Sequence, residues 1–531
     1  LRLLLSLMAA AQFFFVMRIL LFFSLFLFSK LTFAQYYFTD TTTHGTVASL
    51  YAGMVVEDDS TFYMLGLFPE INSNLNVRIL VTKRRNQLLV NQWIRGVPDK
   101  YYYMGDIKKY GDSLFIIGSI HGVSPFPTQP IYNTYFLILN TNGDSLMYKE
   151  FDSGLPDVTI SGQGIVKMGN EIWLAVSRRK VSSNTVLDRK VCLIRLDSIG
   201  NEKARYVYGN TTLNYSQNVR GIDVNDDNEI IVSAGDCQGC LRNGIAMNQA
   251  WIFAVDTSGQ IIRQYFSNPS KNLGLPFKTS KTLDGGWVFS TLNIYTYPRP
   301  NGFNTYRSQG YVSKLNAQFQ LEWDSIYGRE TSTTVLVRTV PDNTGGYIAV
   351  GAHIDSSHST LGWMTKFNGH GEMQWQRFFM PFPSLQEIQI GHLQYVAVTD
   401  QGNIVAAGRG ENFNSSLDHA QYAWLIKTDS MGCLVPGCAV SLRELTTEPV
   451  YLKAWPNPVS EVLNVLVKSE KPLYGAQFKL TDMIGRIQRQ WEGGYEELQY
   501  QIGVQDLSAG MYFLQLIKDG QLLASEKIIK Q

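Results

Sequence analysis

The chain has 531 residues, room for several domains or for one large repeat body with an accessory. At 45% hydrophobic residues it can bury a core, which excludes global disorder. Lys plus Arg number 46 against 45 Asp plus Glu, so no overall field draws the chain onto nucleic acid or an acidic membrane. The 45 glycines and 12% aromatic residues predict an all-β protein with many turns.

The first element in chain order is an export signal. Met17 is a better start than Leu1. Met17-Arg18 supplies a positive n-region, Ile19 to Phe28 an apolar run, and Thr32 and Ala34 the small residues before a cleavage site. Residues 1–34 are therefore read as a signal peptide, cut between Ala34 and Gln35. The competing reading is a membrane anchor over 1–28, and Arg18 interrupts it. No Cys stands after Ala34 to take a lipid. Beyond residue 34 no stretch approaches the roughly 20 apolar residues of a span, so no permanent transmembrane segment is expected.

A repeat follows. A short apolar strand recurs at Phe62–Gly66, Leu114–Gly118, Ile172–Val176, Ile230–Gly235, Trp287–Thr291, Tyr347–Gly351 and Ile404–Gly408. From Gly66 to Gly408 is 342 residues over six intervals, a mean of 57. Each copy has a second strand, in most ending in Asp or Asn before a turn with Gly: Asn140, Asp197, Asp256, Asn316, Asn368 and Asp429. Such a carboxylate or amide caps a tight turn through backbone hydrogen bonds, and Gly supplies positive φ. A third strand comes next, except after Asp429. Modules this small leave both faces bare and must stack on neighbours. The prediction is a seven-bladed β-propeller over 35–440, with Tyr36-Tyr37-Phe38 completing the last blade. The pattern of Asp-Gly-Gly, then Trp, Lys and Asp or Asn, then Gly and Trp resembles the bacterial propeller repeats of exported proteins, best at 284–323, 345–375 and 401–432. That resemblance implies a ring of blades and no one ligand.

Near Val440 the periodicity stops. Residues 441–450 read as a polar linker, and 451–531 as a small β-sandwich of six or seven short strands. Pro456-Asn457-Pro458, the strand and turn through Gly485, Leu507-Ser-Ala-Gly510-Met-Tyr512 and the terminal Lys527-Ile-Ile-Lys closely resemble the type A C-terminal sorting domain of type IX secretion cargo. The resemblance implies handling by the type IX secretion machinery, passage through the periplasm, and release or attachment at the outer cell surface. The alternative is an immunoglobulin-like binding domain that ends the chain.

Export permits disulfides among the five cysteines. Cys433 and Cys438 bracket a Leu-Val-Pro-Gly turn and are expected to pair. Cys237 and Cys240 form a CxxC without further zinc ligands at the usual spacing or a thioredoxin-like context, so a small loop disulfide is preferred. Cys192 reads as a buried thiol.

Catalytic signals weaken on inspection. GDSL occurs twice, at Gly111–Leu114 and Gly143–Leu146, each time as a turn into a repeat strand, with no α/β context behind the Ser. Asp223–Glu229 starts like a calcium loop but has Asn228 at the glycine position and Ala234 at the twelfth, so it reads as a polar turn. The seven His form no metal-spaced pair. No catalytic, metal or cofactor residue is assigned. Trp251, Trp323, Trp363, Trp375 and Trp424 recur at repeat positions and read as core between blades. Loop aromatics, namely Tyr101 to Tyr103, Tyr132, Tyr135, Tyr295 and Tyr297, are the candidates for a surface that binds a glycan or a protein. The expected function is an exported, non-catalytic binding scaffold. The alternative is an exported hydrolase or lyase on polysaccharide or peptide, with its site in the propeller channel.

Overall fold

The computed structural model describes residues 38–42, 51–69, 77–97, 100–121, 131–181, 186–209, 215–238, 248–268, 273, 277–298, 304–328, 333–354, 360–382, 389–412, 421–434, 450–468, 476–482, 486–493, 497–518 and 521–531. Among these there is no helix, and hence none long and apolar enough to cross a membrane.

After β1 (Phe38–Thr42) the chain makes four-stranded antiparallel units. The first is β2 (Tyr51–Val56), β3 (Thr61–Pro69), β4 (Val77–Arg85) and β5 (Leu88–Arg95). The second is β6 (Tyr102–Tyr110), β7 (Ser113–His121), β8 (Tyr132–Asn140) and β9 (Ser145–Phe151). The third is β10 (Val158–Met168), β11 (Glu171–Val181), β12 (Val186–Leu196) and β13 (Glu202–Tyr208). The fourth is β14 (Tyr215–Val224), β15 (Ile230–Gln238), β16 (Asn248–Val255) and β17 (Ile261–Phe266). The fifth is β18 (Ser280–Lys281), β19 (Trp287–Pro298), β20 (Asn304–Leu315) and β21 (Leu321–Tyr327). The sixth is β22 (Thr333–Pro341), β23 (Tyr347–Ile354), β24 (Thr360–Phe367) and β25 (Met373–Phe379). A last unit has only β26 (Gln389–Val398), β27 (Ile404–Asn412) and β28 (Gln421–Thr428) from its own stretch of chain. Its fourth strand is β1, which pairs antiparallel with β28 from Phe38↔Lys427 to Thr42↔Ala423. Phe38 thus does what the sequence suggested for it; Tyr36 and Tyr37 lie outside the described residues.

Each unit has one strand more than the repeat displayed. The overlooked strands are the first ones. Six of the seven (β2, β6, β10, β14, β22 and β26) carry a register shift near their middle. A bulge inserts an extra residue and breaks the period-2 alternation by which a strand is read from sequence.

Burial falls from the middle strands to the last. β7 and β8 are buried along nearly their whole length, whereas β5 is exposed over its first five residues and β9 alternates between exposed and half-buried. The middle strands are buried on both faces because each unit stacks on two neighbours. One core cluster joins units one and two around Tyr63, Ile79, Tyr102 and Leu137. Others join two to three, three to four, four to five, five to six and six to seven. A further cluster joins Val405, Ala407 and Leu425 of the last unit to Tyr51, Phe62 and Met64 of the first. Trp363 and Trp424 sit fully inside such clusters, as their repeat positions suggested.

The turns are local chemistry. Asn368 Oδ1 accepts from the backbone N–H groups of His370 and Glu372, at 3.0 and 2.9 Å. Asp197, Asp256, Asn316 and Asp429 cap their turns in the same way. In the fifth unit Phe319 occupies the glycine position with φ of 64° and is buried, with Arg263 over its ring. Asn225 likewise caps residues 227 and 229, so the calcium-like stretch is a turn. Asp223 sits in β14 and pairs with Lys108 at 3.1 Å. Both GDSL segments are turns into β7 and β9.

The C-terminal region has two sheets, β29 (Tyr451–Trp455), β30 (Val462–Lys468) and β33 (Glu497–Gly503) in one, and β31 (Ala476–Asp482), β32 (Ile487–Gly493), β34 (Gly510–Lys518) and β35 (Gln521–Lys530) in the other. Leu463, Val465 and Val467 from the first meet Phe478, Leu480, Leu514 and Leu516 from the second in one core, separate from those above.

Candidate functional site

Strand alternation sorts the aromatic candidates. Tyr102 points inward and is fully buried among the residues between units one and two. Its neighbours Tyr101 and Tyr103 therefore share the opposite side. Their rings lie 4.6 Å apart between centroids. His121, at the end of β7, stacks on Tyr101 at 5.2 Å. Tyr132, opening β8 directly across from His121 in register, meets Tyr103 edge-on at 5.3 Å and His121 at 5.1 Å. Four rings from three strand ends thus form one platform, with Tyr103 37% exposed. Burial pushes the His121 imidazole pKa down, which favours the neutral ring at neutral pH.

These residues stand at strand ends and not in loops, and Tyr135 does not belong with them. It is fully buried, edge-on to Tyr102 at 5.4 Å, with its hydroxyl on Met104. Tyr295 and Tyr297 are in β19, and the side chain of Tyr297 lies outside the described residues.

Tyr132 also forms one wall of a cavity of about 230 Å³ that runs across units three and four. Thr159 ties the two regions together: its hydroxyl donates to Tyr132 O at 2.9 Å and accepts from Tyr132 N at 2.8 Å. The cavity is walled by Ser161, Gln163, Ser177 and Asn218, and by the guanidinium groups of Arg179, Arg189 and Arg220. Gln163 and Arg220 are the extra residues of the bulges in β10 and β14, which turn their side chains out of the regular alternation. The repeat pattern does not mark these arginines; their one signal in the sequence is the run Arg178-Arg179-Lys180 with Arg189-Lys190 ten residues on.

A second group of charges lies along the first strands. Lys278 reaches Asp106, and Lys108 reaches Asp223. Arg338 donates to Thr279 O at 3.4 Å. Burial lowers the Lys278 ammonium to about 8, more than Asp106 can offset. Asp106 Oδ2 is buried without a hydrogen-bond partner.

Of the remaining candidates, His392 is half-buried and held neutral, lowered to about 4 by desolvation and then by Arg409. His353 packs against Phe378. Among the described residues no three His, Cys, Asp or Glu gather as metal ligands would. Cys192 is a free, buried thiol raised to about 12 by desolvation. Cys433 is disulfide-bonded; Cys438 lies outside the described residues, as do Cys240 and the side chain of Cys237. Ala34 and Gln35 lie outside them too.

The C-terminal motif residues converge on the last strand. Asn457 Nδ2 donates to Lys527 O at 2.6 Å, and Ile529 N donates to Asn457 Oδ1 at 2.8 Å. Pro456 and Pro458, on either side of it, follow cis peptide bonds. Val459 and Ile529 continue the bonding, with Val459 N to Ile529 O at 2.8 Å. Leu507 is buried, Gly510 pairs with Lys530, and Tyr512 donates to Ser508 O at 2.8 Å. Gly485 lies outside the described residues.

Residues 453–531 match the family model described as the secretion system C-terminal sorting domain. This is a type IX secretion sorting domain, and it directs the protein to the cell surface or the extracellular space. No curated protein matches the chain. Similar solved structures include a polysaccharide lyase described as a PL25 ulvan lyase, at 11% identity, with 76% of this chain and 98% of that one covered and a TM-score of 0.45. The endosialidase of phage phi92 is 10% identical over 93% of this chain and 87% of its own, with a TM-score of 0.41. PorZ, a surface component of the type IX secretion system of Porphyromonas gingivalis, is 11% identical over 91% and 81%, with a TM-score of 0.20.

Proposed function

We propose that the chain is a seven-bladed β-propeller over residues 35–440, delivered outside by its tail at 451–531, that binds a glycan on the Tyr101, Tyr103, His121 and Tyr132 platform. Residues 1–34 act as the signal peptide and 441–450 as the linker. The core clusters that run from each unit to the next and from the last back to the first support the propeller. The platform carries the binding assignment. Flat rings that remain open to solvent offer the apolar C–H face of a sugar a surface to stack on. They are held at the ends of paired strands, so little ordering is needed on binding.

The test is a glycan array probed with the full secreted chain, followed by titration of the strongest hit. Tyr103→Ala should weaken binding at least about tenfold and leave the melting temperature nearly unchanged, because Tyr103 is a surface residue outside the core clusters. Tyr135→Ala should do the reverse, lowering stability by about 3–5 kcal/mol as a buried aromatic is lost. Retained binding in Tyr103→Ala would reject the platform.

A second reading is favoured by Lys278 and Asp106. An ammonium lowered to about 8 beside a carboxylate with a free oxygen is suited to move a proton. On that reading the chain is an exported hydrolase or lyase of polysaccharide or peptide, and Lys278→Met abolishes turnover while Tyr103→Ala leaves it intact.

A further inference from the structure

We propose that Arg179, Arg189 and Arg220 form an oxyanion site for the carboxylate or sulfate group of an acidic saccharide whose ring rests on the adjoining aromatic platform. This rests on the glycan-binding reading above and narrows its ligand class.

Register makes the first argument. Arg179 on β11 and Arg189 on β12 are direct cross-strand partners. Like charges placed opposite each other destabilise a sheet unless something between them is negative. Arg220 adds a third guanidinium from the next unit, which joins this one at the bridge Arg189↔Ser216.

The second argument is what stands around them. No carboxylate lines the cavity among the described residues, and its other polar walls are hydroxyls and amides, neutral groups that can donate. Several other buried or half-buried cations face acids: Lys366 meets Asp342 at 2.8 Å, Lys314 meets Glu322 at 2.7 Å, and Arg195 meets Glu171 at 2.6 Å. Here Arg179 Nε is buried and donates to nothing. Desolvation first, and then Arg179, lowers the pKa of the half-buried Arg189, whereas Arg220 is exposed to solvent. An unpaired buried donor is costly, and a bound anion removes the cost.

The third argument is fit. Guanidinium forks match the paired oxygens of carboxylate and sulfate. A cavity of about 230 Å³ holds one charged sugar unit and not a chain. Tyr132 belongs to both the cavity and the platform, so a uronic or sulfated residue in the cavity leaves its neighbour over the rings.

The experiment is calorimetric titration of the full secreted chain with tetragalacturonate, a sulfated galactan tetrasaccharide, neutral galactotetraose and tetraglutamate. We expect at least one acidic saccharide to bind tenfold or more tightly than the neutral one, and the two acidic arms to separate carboxylate from sulfate. Arg189→Gln and Arg220→Gln should each remove tenfold or more of that affinity. Arg189→Gln should also melt at the same or a higher temperature without ligand, since it relieves repulsion; a lower one would mark a structural arginine and overturn the proposal. Equal binding of neutral and acidic sugars, unchanged in both variants, would overturn the oxyanion site and leave the platform standing. Tetraglutamate binding as tightly as the saccharides would overturn the saccharide assignment. Failure of every saccharide would remove the glycan reading and this site together.

Discussion

Lys427 of β28 and Asp59 in the turn after β2 form an ion pair at 2.7 Å across 368 residues of chain. Lys427 is 1% exposed. In the sixth unit the equivalent lysine, Lys366, finds its acid inside its own unit, at Asp342. The last unit has Thr399 where the sixth has Asp342, the two backbone turns being closed alike. The missing carboxylate comes from the first unit, and Thr399 and Asn403 donate to the same Asp59 oxygen at 2.8 and 2.7 Å.

Removing that acid leaves a buried ammonium unpaired. Asp59→Ala should cost about 3–5 kcal/mol, read by denaturant unfolding, and Asp59→Ala with Lys427→Met should recover most of it. Burial alone would raise the Asp59 pKa, but the hydrogen bonds from Lys427, Asn403 and Thr399 outweigh it and hold it below the ordinary 3.8. Its contribution is therefore fully present above the unfolded value and is lost as pH falls through the folded one. An acid melt series from pH 6 to 2 should show the wild type losing stability below about pH 4 more steeply than Asp59→Ala.

Deleting residues 38–42 should lower the melting temperature by several degrees and promote association. Strand β28 would then present an unpaired edge while Trp424 and Leu425 beneath it remain core residues. Light scattering during a thermal ramp measures both effects, and an unaltered ramp would count against closure by β1.

Gly371 has φ of 81°, and a Cβ there would lie 2.7 Å from the Trp323 ring of the preceding unit. Gly285 has nearly the same φ, 79°, with nothing within 4 Å. Gly285→Ala should cost about 1 kcal/mol for backbone strain alone. Gly371→Ala should cost a further 1–3 kcal/mol, roughly, for overpacking between units. Equal melting shifts in the two would show that the Trp323 contact carries no weight.

Asn457→Ala removes both bonds to β35 and should weaken the tail by about 1–3 kcal/mol. Asn457→Asp keeps the acceptor and loses the donor, so it should fall between. Hydrogen exchange at Ile529 reports the strand directly. Cell fractionation should show less of the alanine variant outside.

The strands β3, β7 and β11 and the turns at Asn140, Asp197 and Asn368 were legible because their causes are local: apolar runs, and an Asx side chain capping the next backbone amides. The first strands were not, since a bulge at Gln163 or Arg220 hides the alternation. Tyr102 and Tyr103 looked alike in the sequence, and only the pleat sends one into the core and the other to the surface. The tail was legible for another reason. Asn457 and the Lys527 to Lys530 run make an ordered set of motifs whose meaning survives without coordinates.

Local chemistry, written along the chain, decided the all-β class and the sorting tail. Tertiary packing alone decided which side chains meet. Arg179 and Arg189 face each other only through the register of β11 and β12, and Arg220 joins them only because a neighbouring unit stacks beside them. Lys427 finds its acid at the far end of the chain for the same reason: a charge shut away from water must be matched by whatever packing brings near, however distant in sequence.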